Sequence, residues 1–178
     1  MRLYLIRHPK PDIDTGICYG RSDLGLAEDA AASAGILRPL LPADAPLFTS
    51  PLRRCLELAR ALHAEPMVDE RLVEMHFGDW EMRRWTEIPR HEIDAWAADP
   101  VGYTPPGGES PLAMRARVAT LLRELPDLAV VVAHGGVLRA AVAELVGTEE
   151  WHTLHFDYGS VSLIEDGRLV WHNVRDAD

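Results

Sequence analysis

Short, unbroken apolar runs alternate along the chain with longer stretches whose apolar positions recur at helical spacing. The first run, Leu3-Tyr-Leu-Ile6, stops abruptly at Arg7-His8-Pro9. Such a run, ended by polar residues, predicts a strand buried on both faces that delivers a loop. Beyond a loop punctuated by Gly16, Gly20 and Gly25, alanine-rich Ala27 to Leu41 predicts a helix stopped by Pro42. Leu47 to Ser50 predicts a second strand. Pro51 then falls at a first helical position with Ser50 as cap, opening a helix to about Ala64. Met67-Val68 predicts a brief strand, and Ser110 to Leu125 a helix capped by Ser110. Leu128 to Ala133 is the clearest buried strand and leads straight into His134-Gly135-Gly136. Val137 to Val146 predicts a helix closed by Gly147. Val161–Ile164 and Arg168–Trp171 flank Asp166-Gly167, a hairpin signal. Strands alternating with helices predict an α/β fold around a mostly parallel sheet.

One block breaks the rhythm. Trp80 to Gly108 gathers Trp80, Trp85, Trp96, several prolines and many charges, which predicts a lid-like excursion over a pocket rather than a core element.

At 178 residues the chain predicts one domain, 1–178, large enough to bury about 70% of its unfolded surface. A hydrophobic fraction of 47% with 26% charged residues excludes a disordered or fibrous protein. The formal net charge of −10 argues against nucleic acid or an anionic membrane as partner, since those polyanions demand a basic face. The first apolar run is too short for a signal-peptide core, and the longest later one is far below the ~20 residues of a membrane span. Cys18 and Cys55 build neither a disulfide framework nor a zinc site by themselves. The expectation is a reduced, cytoplasmic protein, and a homodimer is compatible with it.

The candidate chemistry sits at strand ends. Ile6-Arg7-His8 and Val132-Ala133-His134 each finish a predicted strand, and ligands of open α/β sheets bind where strands deliver loops. A single such histidine is as well explained by a structural hydrogen bond; the pair, with Arg7 beside one and glycines behind the other, points to one shared site. A third strand end feeds Ser50-Pro-Leu-Arg53-Arg54. Arginines in a helix's first turn face an unfavourable dipole, and an oxyanion held by guanidinium forks explains one of them, the other being a solvated charge. Glu74 opens Glu74-Met-His-Phe-Gly-Asp-Trp-Glu81, where apolar neighbours would help a carboxyl keep its proton and act as a general acid. Cys55 reads as a packed small hydrophobe, and Cys18 and Tyr19 as candidates to line the pocket.

Leu5-Ile-Arg7-His8, Ser50-Pro-Leu-x-Arg54, the Glu74–Glu81 block, Gly108-Glu-Ser110 and Ala133-His134-Gly135 together resemble the histidine phosphatase family, the phosphoglycerate mutase-like proteins. The resemblance runs from Arg2 to about Val146. It implies a three-layer α/β/α fold with a mostly parallel central sheet, and a phosphomonoesterase acting through a phosphohistidine. It also implies roles: His8 as nucleophile, Glu74 as proton donor, and Arg7, Arg54 and His134 as holders of the phosphoryl oxygens, with His134 protonated. The arginines and His134 would meet the phosphate charge without metal or cofactor. His152 and His155, three apart, lack the carboxylates or cysteines that would complete a metal site. Within the family, Ile17-Cys-Tyr-Gly-Arg-Ser-Asp23 and the Glu74 block are most similar to α-ribazole phosphatases, of cobalamin biosynthesis, which makes Tyr19, Gly20, Arg21 and Ser22 candidate substrate-binding residues. Aromatic Trp85, Trp96 and Tyr103 would stack on a base-like ring or pack the excursion onto the domain. The chain departs from the family in Pro9-Lys10 after the first histidine, and in Asp14 where many members carry asparagine. These departures favour a phosphatase of a small phosphorylated metabolite over a phosphoglycerate mutase-type transferase. A non-catalytic phosphate-binding regulator is the third reading.

Overall fold

The apolar runs form the sheet. In the computed structural model, which describes residues 1–175, they are β1 (Arg2–Arg7), β2 (Leu47–Thr49), β3 (Met67–Val68), β4 (Leu128–Ala133), β5 (Val161–Glu165) and β6 (Arg168–Val174). The sheet order is β3-β2-β4-β1-β5-β6. The first four strands in that order run parallel, and β5 and β6 run antiparallel as the predicted hairpin. Asp166 and Gly167 turn it, both at positive φ (49° and 74°), the geometry of a two-residue hairpin turn.

The described residues form five α-helices, α1 (Ala30–Leu37), α2 (Arg53–Leu62), α3 (Arg90–Ala98), α4 (Pro111–Leu122) and α5 (Gly135–Val146), of which all but α3 pack on the sheet. Successive residues of a strand face opposite sides. Leu3, Leu5, Ala129, Val131 and Ala133 therefore pack beneath α4 and α5. Tyr4, Ile6, Val130 and Val132 pack against α1 and α2. The α/β class and the three layers stand as expected. β1 is the central strand on which this rests, because both of its neighbours and both helical layers touch it.

Several boundaries differ from the sequence reading, three of them for reasons the structure shows. The first helix begins at Ala30, capped by the Asp29 carboxylate, and gives way at Arg38 to a 3₁₀ turn because Pro39 has no N–H for the α ladder. The second begins at Arg53 rather than Pro51. Its end is met from across the fold: the Asp23 carboxylate accepts from Arg53 N at 2.8 Å, which frees Ser50 from capping. The last helix starts two residues early, at Gly135.

Residues 80–108 carry α3 and fold on a small core of their own. Trp80 is fully buried, Trp80 stacks on Tyr103, and Trp85 stacks on Trp96 at 5.6 Å and 14°. Cys18 and Ile88 complete that core, so Cys18 does not line the site, and burial pushes its thiol up to about 12. These aromatics pack against one another; of the four, Trp85 alone lines the cavity described next. Among the described residues no helix is long and apolar enough to cross a membrane.

Candidate active site

The register aligns three strand ends. Arg7 pairs with Ala133, and Thr49 with Val132, so His8, Ser50 and His134 emerge side by side at the carboxyl edge of the parallel strands. The helices after β1 and β2 lie on one face and α5 on the other, which opens a crevice at this edge. The two histidine rings stand 5.1 Å apart, edge to face. The pairing expected from their places in sequence is real.

His8 is buried and its tautomer is fixed. Its Nδ1 lies 2.6 Å from the Pro9 carbonyl, which can only accept, so Nδ1 carries the proton and Nε2 keeps its lone pair. Burial, then the Arg54 and Arg7 guanidinium charges, hold His8 well below the ordinary 6.5 against the opposing pull of the Pro9 bond. Pro9, the departure from the family pattern, thus provides the carbonyl that orients the ring.

Arg54 lies in the first turn of α2, fully buried. Its Nη1 and Nη2 donate to the carbonyls of Ser22 (2.8 Å) and Gly20 (2.6 Å), while Nε faces His8 Nε2 at 3.3 Å and His134 Nδ1 at 3.2 Å. Neighbouring Arg53 is exposed and pairs with Glu57, the solvated charge expected of one of the two. His134 precedes the first turn of α5 with Nε2 2.8 Å from Ser50 Oγ and 3.4 Å from Cys55 Sγ. Cys55 is thus a packed thiol that also touches the site. Burial, Arg54 and then His8 hold His134 well below 6.5, which favours the neutral imidazole.

Arg7 lies over the Tyr158 ring, its guanidinium carbon 3.7 Å from the ring centre, and Nη1 donates to the Phe156 carbonyl. Its Nε is buried with no partner among the described residues. Glu74 accepts from Met75 N (2.9 Å) and Gly136 N (3.0 Å). A Cβ on Gly136 would sit 2.4 Å from Glu74 Oε1, so only glycine lets the carboxylate approach this closely. Arg7, His8, Tyr19, Glu74, Trp85 and Arg139 line one cavity of about 200 Å³. Its guanidinium groups make the pocket positive on a chain of net charge −10.

The substrate-binding quartet divides. Tyr19 lines the cavity, its hydroxyl 2.6 Å from that of Tyr158. Gly20, Arg21 and Ser22 do not line it. Their backbone N–H groups donate to Glu81 at 3.0, 3.0 and 3.1 Å, and the carbonyls of Gly20 and Ser22 hold Arg54. The Arg21 side chain points to Glu109 instead. These residues position an arginine because Glu81, with five donors including Ser22 Oγ and Phe77 N, pins the loop beneath it. Asp14 is exposed and faces Arg84. His155 pairs with Asp157, and no cluster of three or more His, Cys, Asp or Glu suited to a metal is present among the described residues.

Sequence reasoning missed Glu81, Tyr158, Ser50 as the partner of His134, and Arg139. Glu81 sat at the end of the quoted Glu74 block and was its one available signal. Tyr158 and Arg139 come from parts of the chain with no motif.

A crevice at the carboxyl edge of a parallel sheet, with two histidines, two guanidinium groups and a carboxylate, defines a phosphoryl-handling α/β enzyme. Residues 3–176 match the histidine phosphatase superfamily (branch 1), and the chain belongs to that family. The adenosylcobalamin/alpha-ribazole phosphatase of Salmonella typhimurium is 30% identical over 177 residues, covering 85% of this chain and 84% of that protein. The glucosyl-3-phosphoglycerate phosphatase of Mycolicibacterium vanbaalenii is 32% identical over 206 residues, covering 99% and 87%. A solved mycobacterial glucosyl-3-phosphoglycerate phosphatase superposes with a TM-score of 0.81 at 29% identity, covering 97% of this chain and 98% of that one. The chain is a phosphoric monoester hydrolase of that family.

Proposed function

We propose that this hydrolase works through a phosphohistidine at His8, and that its substrate is α-ribazole 5′-phosphate. The observation that carries the mechanism is the Pro9 carbonyl on His8 Nδ1, which leaves Nε2 unprotonated, its lone pair facing Arg54 Nε, in a ring kept neutral by its surroundings. Nε2 attacks phosphorus and the bond to the ester oxygen breaks. Glu74 gives that oxygen a proton, and the alcohol leaves. A water then attacks phosphorus, Glu74 takes its proton, and the P–N bond breaks to release inorganic phosphate.

The transition state spreads charge over three phosphoryl oxygens, so the protein's part is positioning and electrostatic stabilisation. Arg7, Arg54 and His134 supply it. The buried, unpartnered Nε of Arg7 supports an acceptor oxygen at that place. A phosphate dianion reverses the local field and favours the imidazolium of His134, which is neutral without one.

Two observations support the substrate: the likeness of the chain to the Salmonella phosphatase, and an aromatic wall at Trp85 beside the phosphoryl cavity. Trapping labelled phosphate on His8 during turnover, with free phosphate as the product, tests the mechanism.

A further inference from the structure

The two histidines hold their protons on opposite ring nitrogens. An arginine N–H can only donate, so the atoms that face Arg54 Nε, His8 Nε2 at 3.3 Å and His134 Nδ1 at 3.2 Å, both offer it lone pairs. Neutral His8 keeps its proton on Nδ1, against the Pro9 carbonyl. Neutral His134 keeps its proton on Nε2, which stands 2.8 Å from Ser50 Oγ. Ser50 is fully buried just past β2, and Leu52 N donates to the same oxygen at 3.3 Å. A hydroxyl oxygen has two acceptor positions, and these two N–H groups fill them.

In this tautomer the corner of His134 that shares Arg54 Nε with the nucleophile bears a lone pair and no proton. A phosphoryl oxygen arriving there would meet lone pair against lone pair. Its binding therefore draws a proton from solvent onto Nδ1, and the ring then carries two N–H groups. One serves the phosphoryl oxygen, and the other is already seated on Ser50. Among the described residues the ring's hydrogen-bond partners are Arg54, Ser50 and the Cys55 thiol, with no carboxylate. The other charges that reach it come from His8, Arg7 and Arg117, each unfavourable to an imidazolium. Ser50 is the one oxygen acceptor on the far side of the ring, where a charged donor gains most from a hydrogen bond.

We propose that Ser50 is a positioning residue for the phosphoryl site: by holding Nε2–H of His134 it makes Nδ1 the atom that takes up a proton and donates to the phosphoryl oxygen. This rests on the mechanism proposed above, which places the phosphoryl group between the two histidines.

Proton–nitrogen correlation NMR of protein carrying ¹⁵N-labelled histidine reads which ring nitrogen holds the proton. At about pH 7.5, above the ordinary range of histidine, His134 should show a proton on Nε2 alone and His8 on Nδ1 alone. Inorganic phosphate should add a second proton to His134, at Nδ1, and none to His8. In Ser50→Ala phosphate should bind at least about tenfold more weakly, while the His8 signal, held by Pro9, stays unchanged and shows the site to be folded. Ser50→Cys, which keeps a side chain there but offers only a weak sulfur acceptor, should weaken phosphate in the same direction and serves if the alanine variant does not fold. A proton on His134 Nδ1 before phosphate is added, or wild-type phosphate affinity in a folded Ser50 variant, overturns the role of Ser50. A His8 that carries no phosphoryl group in turnover overturns the phosphohistidine mechanism instead, and the ring measurements still decide Ser50.

Discussion

Replacing Gly136 with alanine isolates the role of Glu74. The added Cβ would lie 2.4 Å from Glu74 Oε1 and 3.1 Å from Met114 Cε. Methionine's terminal methyl swings aside easily, but the carboxylate must retreat by about 1 Å to reach ordinary contact, stretching its bond to Gly136 N. A misplacement of that size costs on the order of 10²-fold in rate, about 2.7 kcal/mol of barrier. The loss should depend on the leaving group. Glycerol 3-phosphate expels a strongly basic alkoxide that needs the Glu74 proton, and its kcat/KM should fall ~100-fold. p-Nitrophenyl phosphate expels a weakly basic phenolate and should lose less than ~10-fold. Melting temperature should not drop, because alanine in a helix is up to about 1 kcal/mol better than glycine. Equal losses on the two esters, or full activity on glycerol 3-phosphate, would refute the assignment of Glu74 as proton donor.

Acid should destabilise the fold before most carboxylates titrate. His8 and His134 are held below 6.5 in the folded chain, so below about pH 6.5 the unfolded chain binds protons that the folded chain refuses. Their contribution to stability is present above that pH and is lost as pH falls through the window beneath it. Thermal melts should therefore show Tm declining from pH 7 to 5, and a flat profile would contradict the burial of neutral imidazoles. Phosphate charge is met by guanidinium groups, so EDTA should leave the turnover rate unchanged; a loss restored by zinc or magnesium would show the electrostatic account to be wrong.

Much of the fold was legible because its signals are local. β4 matches its predicted bounds, Leu128 to Ala133, and the Asp166-Gly167 hairpin forms where expected, each written in consecutive residues. The start of α2 was misread because its cap is the Asp23 carboxylate, thirty residues upstream, a contact that exists only once the loop has folded over. The site divides the same way. His8, His134 and Arg54 could be found because each ends a strand or opens a helix. The roles of Gly20, Arg21 and Ser22 could not, since they depend on Glu81 reaching under their loop. Tyr158 beneath Arg7 and Arg139 beside Glu74 were invisible for that reason too: nothing in their neighbouring residues marks them, and only tertiary packing brings them to the cavity. The tryptophans of the aromatic excursion pack against one another, which no local pattern marks.

The central claim is that the phosphoryl group passes through His8 Nε2. Rapid quench of the enzyme in turnover with ³²P-labelled substrate, followed by peptide mapping, tests it most directly. The account predicts acid-labile, base-stable label on the peptide containing His8, appearing no later than free phosphate. It predicts no label and no turnover in a folded His8→Ala variant. Phosphate release by that variant at a substantial fraction of the wild-type rate, or label carried on another residue, would contradict it.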